Sequence, residues 1–154
     1  MLGTLGADAW LLYDFRGINP AASRVLGLNG GMGTRRLFVL LPRTGQPVAL
    51  AHKIELATFD GFPGDVQPYA AWRELHEKLR ALVAGKTVAM EISAADAVPY
   101  LDRVPYGVVD LVQRLGGKVV SSGSLITRFA ARWSASELAG HRRAAEAHPH
   151  AVPD

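Results

Sequence analysis

The stretch Trp10-Leu11-Leu12-Tyr13-Asp14-Phe15-Arg16-Gly17-Ile18-Asn19-Pro20 constrains this chain more than any other. An apolar run stops abruptly at Asp, Arg, Gly, Asn and Pro. That pattern predicts a buried strand over residues 9–13 that delivers a polar turn at its carboxyl end and then a helix. Pro20 suits the first helical turn, where a missing N–H goes unused, and Asn19 suits the N-cap before it. The turn supports two readings. In one it is a plain strand–turn–helix junction, with Asp14 and Asn19 capping and Arg16 paired to a carboxylate. In the other it faces a ligand, because ligands of open α/β sheets gather at strand carboxyl ends. The local pattern by itself favours the junction.

The rest of the chain continues in short alternating elements. Residues before Ala9 carry little signal. Val25, Leu26 and Leu28 give the first helix an apolar face, and Gly27 helps end it. Residues 29–34 form a glycine-rich loop, read as a flexible connector: no Gly-Lys-Ser/Thr ending follows, and the loop leads into a strand, not a helix. Apolar runs at 37–41 and 48–51 flank Pro42-Arg43-Thr44-Gly45-Gln46-Pro47 and predict a β-hairpin. The runs are nearly continuous, so the sheet should be covered on both faces. A turn-rich loop with Phe59 and Phe62 precedes a helix over 69–84, carried by Trp72, Leu75, Leu79, Leu82 and Val83 at helical spacing. Trp72 reads as a core anchor, Glu74–Lys78 as an exposed ion pair, and Gly85 as the cap. A strand over 87–92, an amphipathic helix around Val108, Leu111, Val112 and Leu115, a short strand at 118–120 and a helix carrying Leu125, Ile126 and Phe129 follow. Ser134 and Glu137 have capping-box spacing and open a mostly polar helix through about Glu146. Residues 148–154 read as an unstructured end.

These elements predict one three-layer α/β domain with a mixed sheet of five or six strands and helices on both faces. Residues 1–133 form the domain, and residues 134–154 a linking helix and tail. With 154 residues, the chain suffices for one ordinary domain with a real core. A hydrophobic fraction of 49% and a charged fraction of 20% are those of a globular protein. No apolar run approaches the ~18 residues of a membrane helix, so no membrane partner is expected. The net charge is only +3, and no basic run interleaves with aromatics, which argues against nucleic acid. The absence of cysteine excludes disulfides, thiol catalysis and Cys-ligated zinc. With no basic region ahead of the first apolar residues, the expected compartment is cytoplasmic.

Other chemistry-bearing residues have a plain alternative. His52, at a strand end, reads as a hydrogen-bonded surface residue before it reads as an acid–base group. Glu91, Asp96, Asp102 and Asp110 show no ligand or paired-carboxylate spacing, and Ser93 and Asp96 suit turns. Ser122 lacks a nucleophile elbow and reads as a cap. His141, His148 and His150 have no carboxylate partners in an ordered frame.

Several stretches in one order carry a resemblance: residues 8–20, Arg35-Arg36-Leu37-Phe38, the 42–47 turn, Ala89-Met90-Glu91-Ile92-Ser93, Val119-Val120-Ser121-Ser122 and Arg132-Trp133-Ser134. Together they resemble the N-terminal domain of the creatinase/prolidase family of metallopeptidases, in its Xaa-Pro aminopeptidase branch, from about residue 8 to about residue 147. The resemblance implies a three-layer α/β unit with a ribonuclease-H-like motif. It also implies a C-terminal "pita-bread" domain that holds two divalent metals (Mn, Co or Zn) on Asp, Asp, His, Glu and Glu and cleaves the bond before proline. The N-terminal domain would support a homodimer and narrow access of a proline-containing peptide. No residue of this chain matches a metal ligand, so no catalytic or metal-binding residue is assigned, and the chain stops about where the linking helix would enter the catalytic domain. Relatives usually have a helix before the first strand; its shortness here would leave a face near Trp10 and Leu12 exposed.

The leading expectation is therefore a non-catalytic accessory domain of a proline-specific metallopeptidase, inactive alone. Its candidate substrate-binding residues are Asp14, Arg16 and Asn19: Arg16 would fork a peptide carboxylate, while Asn19 or Asp14 would orient it or meet the amine. The alternatives are a free-standing α/β binding or scaffold domain, and an independent enzyme using Glu91, Asp14 and His52.

Overall fold

The computed structural model describes residues 2–27, 33–130 and 134–147. Its strands are β1 (Ala9–Asp14), β2 (Leu37–Pro42), β3 (Val48–His52), β4 (Asp65–Tyr69), β5 (Thr87–Met90) and β6 (Lys118–Ser121). Its helices are α1 (Pro20–Leu26), α2 (Trp72–Val83), α3 (Tyr106–Arg114), α4 (Gly123–Ala130) and α5 (Ala135–Ala147). The strands form one mixed sheet in the order β4-β3-β2-β1-β5-β6, in which only β2 runs against its neighbours.

All six residues of β1 are buried, because the strand is central and both faces of the sheet are covered. Strand periodicity sorts its side chains. Ala9, Leu11 and Tyr13 join the core under α2 and α3, with Phe38, Leu50, Leu75, Leu79, Met90 and Val112. Trp10 and Leu12 join the opposite core under α1 and α4, with Ala22, Val39, Ala49, Ala89 and Leu125. The second core is rich in alanine, which lets short helices approach the sheet closely. The three-layer α/β architecture is the one the sequence pattern predicts.

The hairpin predicted around residues 42–47 is present, with Val39 opposite Ala49. Asn19 caps α1 by accepting the Ala22 N–H, and Gly27 closes the helix in a left-handed conformation. Ser134 and Glu137 form the predicted capping box: Ser134 N–H donates to Glu137 at 2.7 Å, and Glu137 N–H to Ser134 Oγ at 3.2 Å. Ser93 serves its turn by accepting the Val98 N–H.

Four expectations are corrected. The face near Trp10 and Leu12 is not exposed: the two residues are 3% and 1% accessible. Leu2 and Leu5 of an N-terminal 3-10 helix, Ala22 of α1 and Leu125 of α4 pack over it, and the Phe129 ring lies 5.7 Å from that of Trp10. Trp72 is not a core anchor; it is 57% exposed at the first turn of α2, with Arg73 over its ring. The stripe that faces the sheet begins one turn later, at Leu75, Leu79 and Val83. Residues 65–69 are neither loop nor helix start but the edge strand β4. Asp65 and Pro68 hid it, and Pro is tolerated there because an edge has a free side. Finally, the strand predicted to reach residue 92 ends at Met90, where Glu91 leaves the sheet. The loop 28–32, Arg132-Trp133 and the tail 148–154, with His148 and His150, lie outside the described residues.

Candidate functional site

Because β1, β3, β4, β5 and β6 all run the same way, their carboxyl ends share one edge of the sheet. After β1 the chain turns towards β2, whereas β5 lies on the other side of β1. The gap between the ends of β1 and β5 is thus the switch point at which open α/β sheets place ligands.

A buried polar cluster fills that gap. Glu91, 1% exposed, accepts from Trp10 Nε1 at 2.6 Å and Ser122 Oγ at 2.9 Å on Oε1, and from Asn19 Nδ2 at 2.6 Å on Oε2. Burial pushes its carboxyl above the ordinary value, while the three donors pull it back only in part. Asn19 is fully buried; besides Glu91 it donates to the Tyr13 carbonyl at 2.8 Å. Asp14 accepts from Gly17 N–H and Asn19 N–H, each at 2.9 Å, and so closes the 14–19 turn on itself. The Glu91 carbonyl accepts from Arg103 and Val104, which pins both ends of the 92–102 excursion.

The turn residues named from sequence therefore part company. Asp14 and Asn19 are brought together, but each is spent on the fold. Arg16 is exposed at the tip, in a left-handed conformation with φ of 59°. Its guanidinium lies 5.7 Å from the Phe15 ring, and the carboxylate partner expected for it is absent among the described residues. His52 ends β3, two strands from β1 or roughly 10 Å at ordinary strand spacing. It accepts the Ile54 N–H and meets the Ala70 carbonyl and the Tyr69 ring. It does not join Glu91 and Asp14. Asp96 and Asp102 are exposed, Asp110 pairs with Arg114 at 2.8 Å, and none hydrogen-bonds to Glu91. Ser122 is not a side-chain cap: its carbonyl receives the Leu125 and Ile126 N–H groups, and its hydroxyl goes to Glu91.

Beside the cluster a pocket of about 200 Å3 opens between α1, α4 and the 92–102 excursion. Pro20, Ile126 and Leu101 make it apolar, and Arg24, Arg103 and Tyr100 give it a basic, aromatic rim. Sequence reasoning missed this rim, because Arg24 is distant in the chain from Tyr100 and Arg103 and meets them only through the placement of β5 beside β1. No group of three or more His, Asp or Glu side chains converges to hold a metal ion among the described residues. The described residues of this cluster do not supply the donor set of a two-metal centre. What the cluster does chemically is brace: its donors and acceptors satisfy each other, leaving no unpartnered buried polar side-chain atom among the described residues.

No family model matches the sequence, and no curated protein matches it. Solved structures do. The creatinase/prolidase N-terminal domain of an X-Pro dipeptidase from Streptococcus pyogenes superposes with a TM-score of 0.62 at 18% identity, covering 82% of this chain and 90% of that one. A recombinant prolidase from Thermococcus sibiricus gives 0.65 at 17% identity, over 94% of this chain but 38% of its own. A dipeptidase from Pyrococcus horikoshii OT3 gives 0.66 at 15%, over 88% of this chain and 35% of its own. The chain thus spans nearly all of an isolated N-terminal domain and little more than a third of the longer enzymes. Identities this low speak to architecture, and the architecture is plain: this chain has the fold of a creatinase/prolidase N-terminal domain.

Proposed function

We propose that this domain is the accessory, non-catalytic N-terminal unit of a proline-specific metallopeptidase of the Xaa-Pro aminopeptidase or prolidase kind. The single observation that carries the reading is the superposition on an isolated domain of an X-Pro dipeptidase over 90% of that domain's length. The site is in keeping with it: the buried carboxylate is tied up by three side-chain donors that brace the fold, and no group of three or more His, Asp or Glu side chains converges among the described residues. The two divalent ions that such hydrolysis needs to generate hydroxide would be held by residues other than these. In this reading the domain pairs with a second copy in the cytoplasm and shapes the approach of a proline-containing peptide. Arg16, exposed and without a carboxylate among the described residues, is the group that would meet the peptide's carboxylate. Asp14 and Asn19 would hold that turn in position.

The test uses the purified chain with Ala-Pro and Ala-Pro-Ala, with and without Mn, Co or Zn, together with sedimentation analysis. The expected result is no metal-dependent cleavage and a dimer. Metal-dependent turnover by this chain would overturn the non-catalytic reading, and a monomer at all concentrations the pairing.

A further inference from the structure

A groove on the other face of the sheet has no part in that reading. It lies between α2 and α3, with a volume of about 450 Å3. Its lining brings together Arg36 from just before β2, His76 and Arg80 from α2, and Asp110, Leu111 and Arg114 from α3. Helical spacing accounts for the grouping: residues four apart stand above one another, so His76 with Arg80, and Asp110 with Arg114, present paired side chains to the groove.

The charges in it do not balance. Arg114 is held by Asp110 at 2.8 Å. Arg36 and Arg80 have no carboxylate within ion-pair distance among the described residues. Arg36 is half-buried, and its carbonyl receives the Tyr69 hydroxyl at 2.5 Å, which fixes the backbone that carries it. Burial lowers the affinity of His76 for a proton, and the charge of Arg36 lowers it further. The charged groups that line the groove with His76 are Arg36, Arg80, Asp110 and Arg114, and the Trp72 ring lies 5.3 Å from the imidazole.

The geometry points to this groove as the binding site of a phosphoryl dianion carried by a small molecule, gripped by Arg36 and Arg80, with His76 donating a hydrogen bond and Leu111 beneath the apolar part. Guanidinium forks match phosphate oxygens in pairs. A single carboxylate would neutralise only one of the two unpaired arginines, whereas a phosphomonoester carries about −1.5 to −2 at neutral pH.

Inorganic pyrophosphate and phenyl phosphate are the probes and acetate the control, titrated into the intact 154-residue chain while the histidine ring NMR signals are followed. Saturable one-to-one binding is expected, with the His76 signals moving, those of His52 staying, and acetate without effect. Arg80→Gln, at an exposed position, should weaken binding about tenfold, and Arg36→Gln with it should abolish binding. Arg73→Gln, whose guanidinium lies over Trp72 outside the groove, should change nothing. Equal affinity in Arg80→Gln, or His76 signals unmoved at high pyrophosphate, overturns the assignment. Neither result bears on the accessory role proposed above.

Discussion

Trp10 and Glu91 stand 81 residues apart in sequence and meet through a 2.6 Å hydrogen bond from the indole Nε1 to Glu91 Oε1. The indole packs into the core under α4, so one side chain both fills that core and ties β1 to the end of β5. Asn19 and Ser122 complete the ring of donors around the same carboxylate. Three elements, β1 with its turn, β5 and the start of α4, are joined at one buried atom group.

Removing the acceptor should therefore cost more than removing any one donor. Glu91→Ala strands three buried donors at once and is expected to destabilise the fold by about 4 kcal/mol, against about 1 kcal/mol for Ser122→Ala. Urea unfolding of both variants measures the difference. Equal losses would mean that the three donors find other acceptors.

The same carboxyl gives a pH dependence of defined sign. Burial raises its folded pKa above the ordinary 4.5, with the donors opposing. The folded chain thus binds this proton more readily than the unfolded chain. The contribution is fully present below pH 4.5 and is lost as pH rises through the folded value. Glu91→Gln has no such proton, so the stability of the native chain relative to this variant should fall as pH rises above 4.5 through the folded value. A difference flat across that range would contradict the raised value.

Two glycines separate backbone strain from steric conflict. Gly17 has φ of 75° and open space where a Cβ would lie, so Gly17→Ala should cost only the left-handed penalty, about 1 kcal/mol. Gly64 has no such φ, but a Cβ there would lie 2.2 Å from the Pro47 carbonyl oxygen. Gly64→Ala must move the start of β4, and about 3 kcal/mol is expected. Thermal unfolding of the pair should rank them in that order.

On α2, Trp72→Ala should change stability by less than about 0.5 kcal/mol, since the ring is more than half exposed. Leu79→Ala, at a fully buried position, should cost about 3 kcal/mol. A large loss at Trp72 would show that its ring covers something in solution that the isolated chain leaves open.

The sequence by itself determined what depends on neighbours along the chain. The apolar runs set the central strands, Asn19-Pro20 set the start of α1, Ser134 and Glu137 set the start of α5, and the hairpin followed from the Pro/Gly turn between two apolar runs. Helical spacing located α2 but overran its start, because Tyr69 and Trp72 continue the apolar stripe although one ends a strand and the other faces solvent. Only the tertiary structure decided the site. Burial of Glu91 with Trp10, Asn19 and Ser122, and the exposure left to Arg16, are set by which strands lie side by side. Strand order brings residues dozens of positions apart within hydrogen-bond reach, and no local pattern carries it.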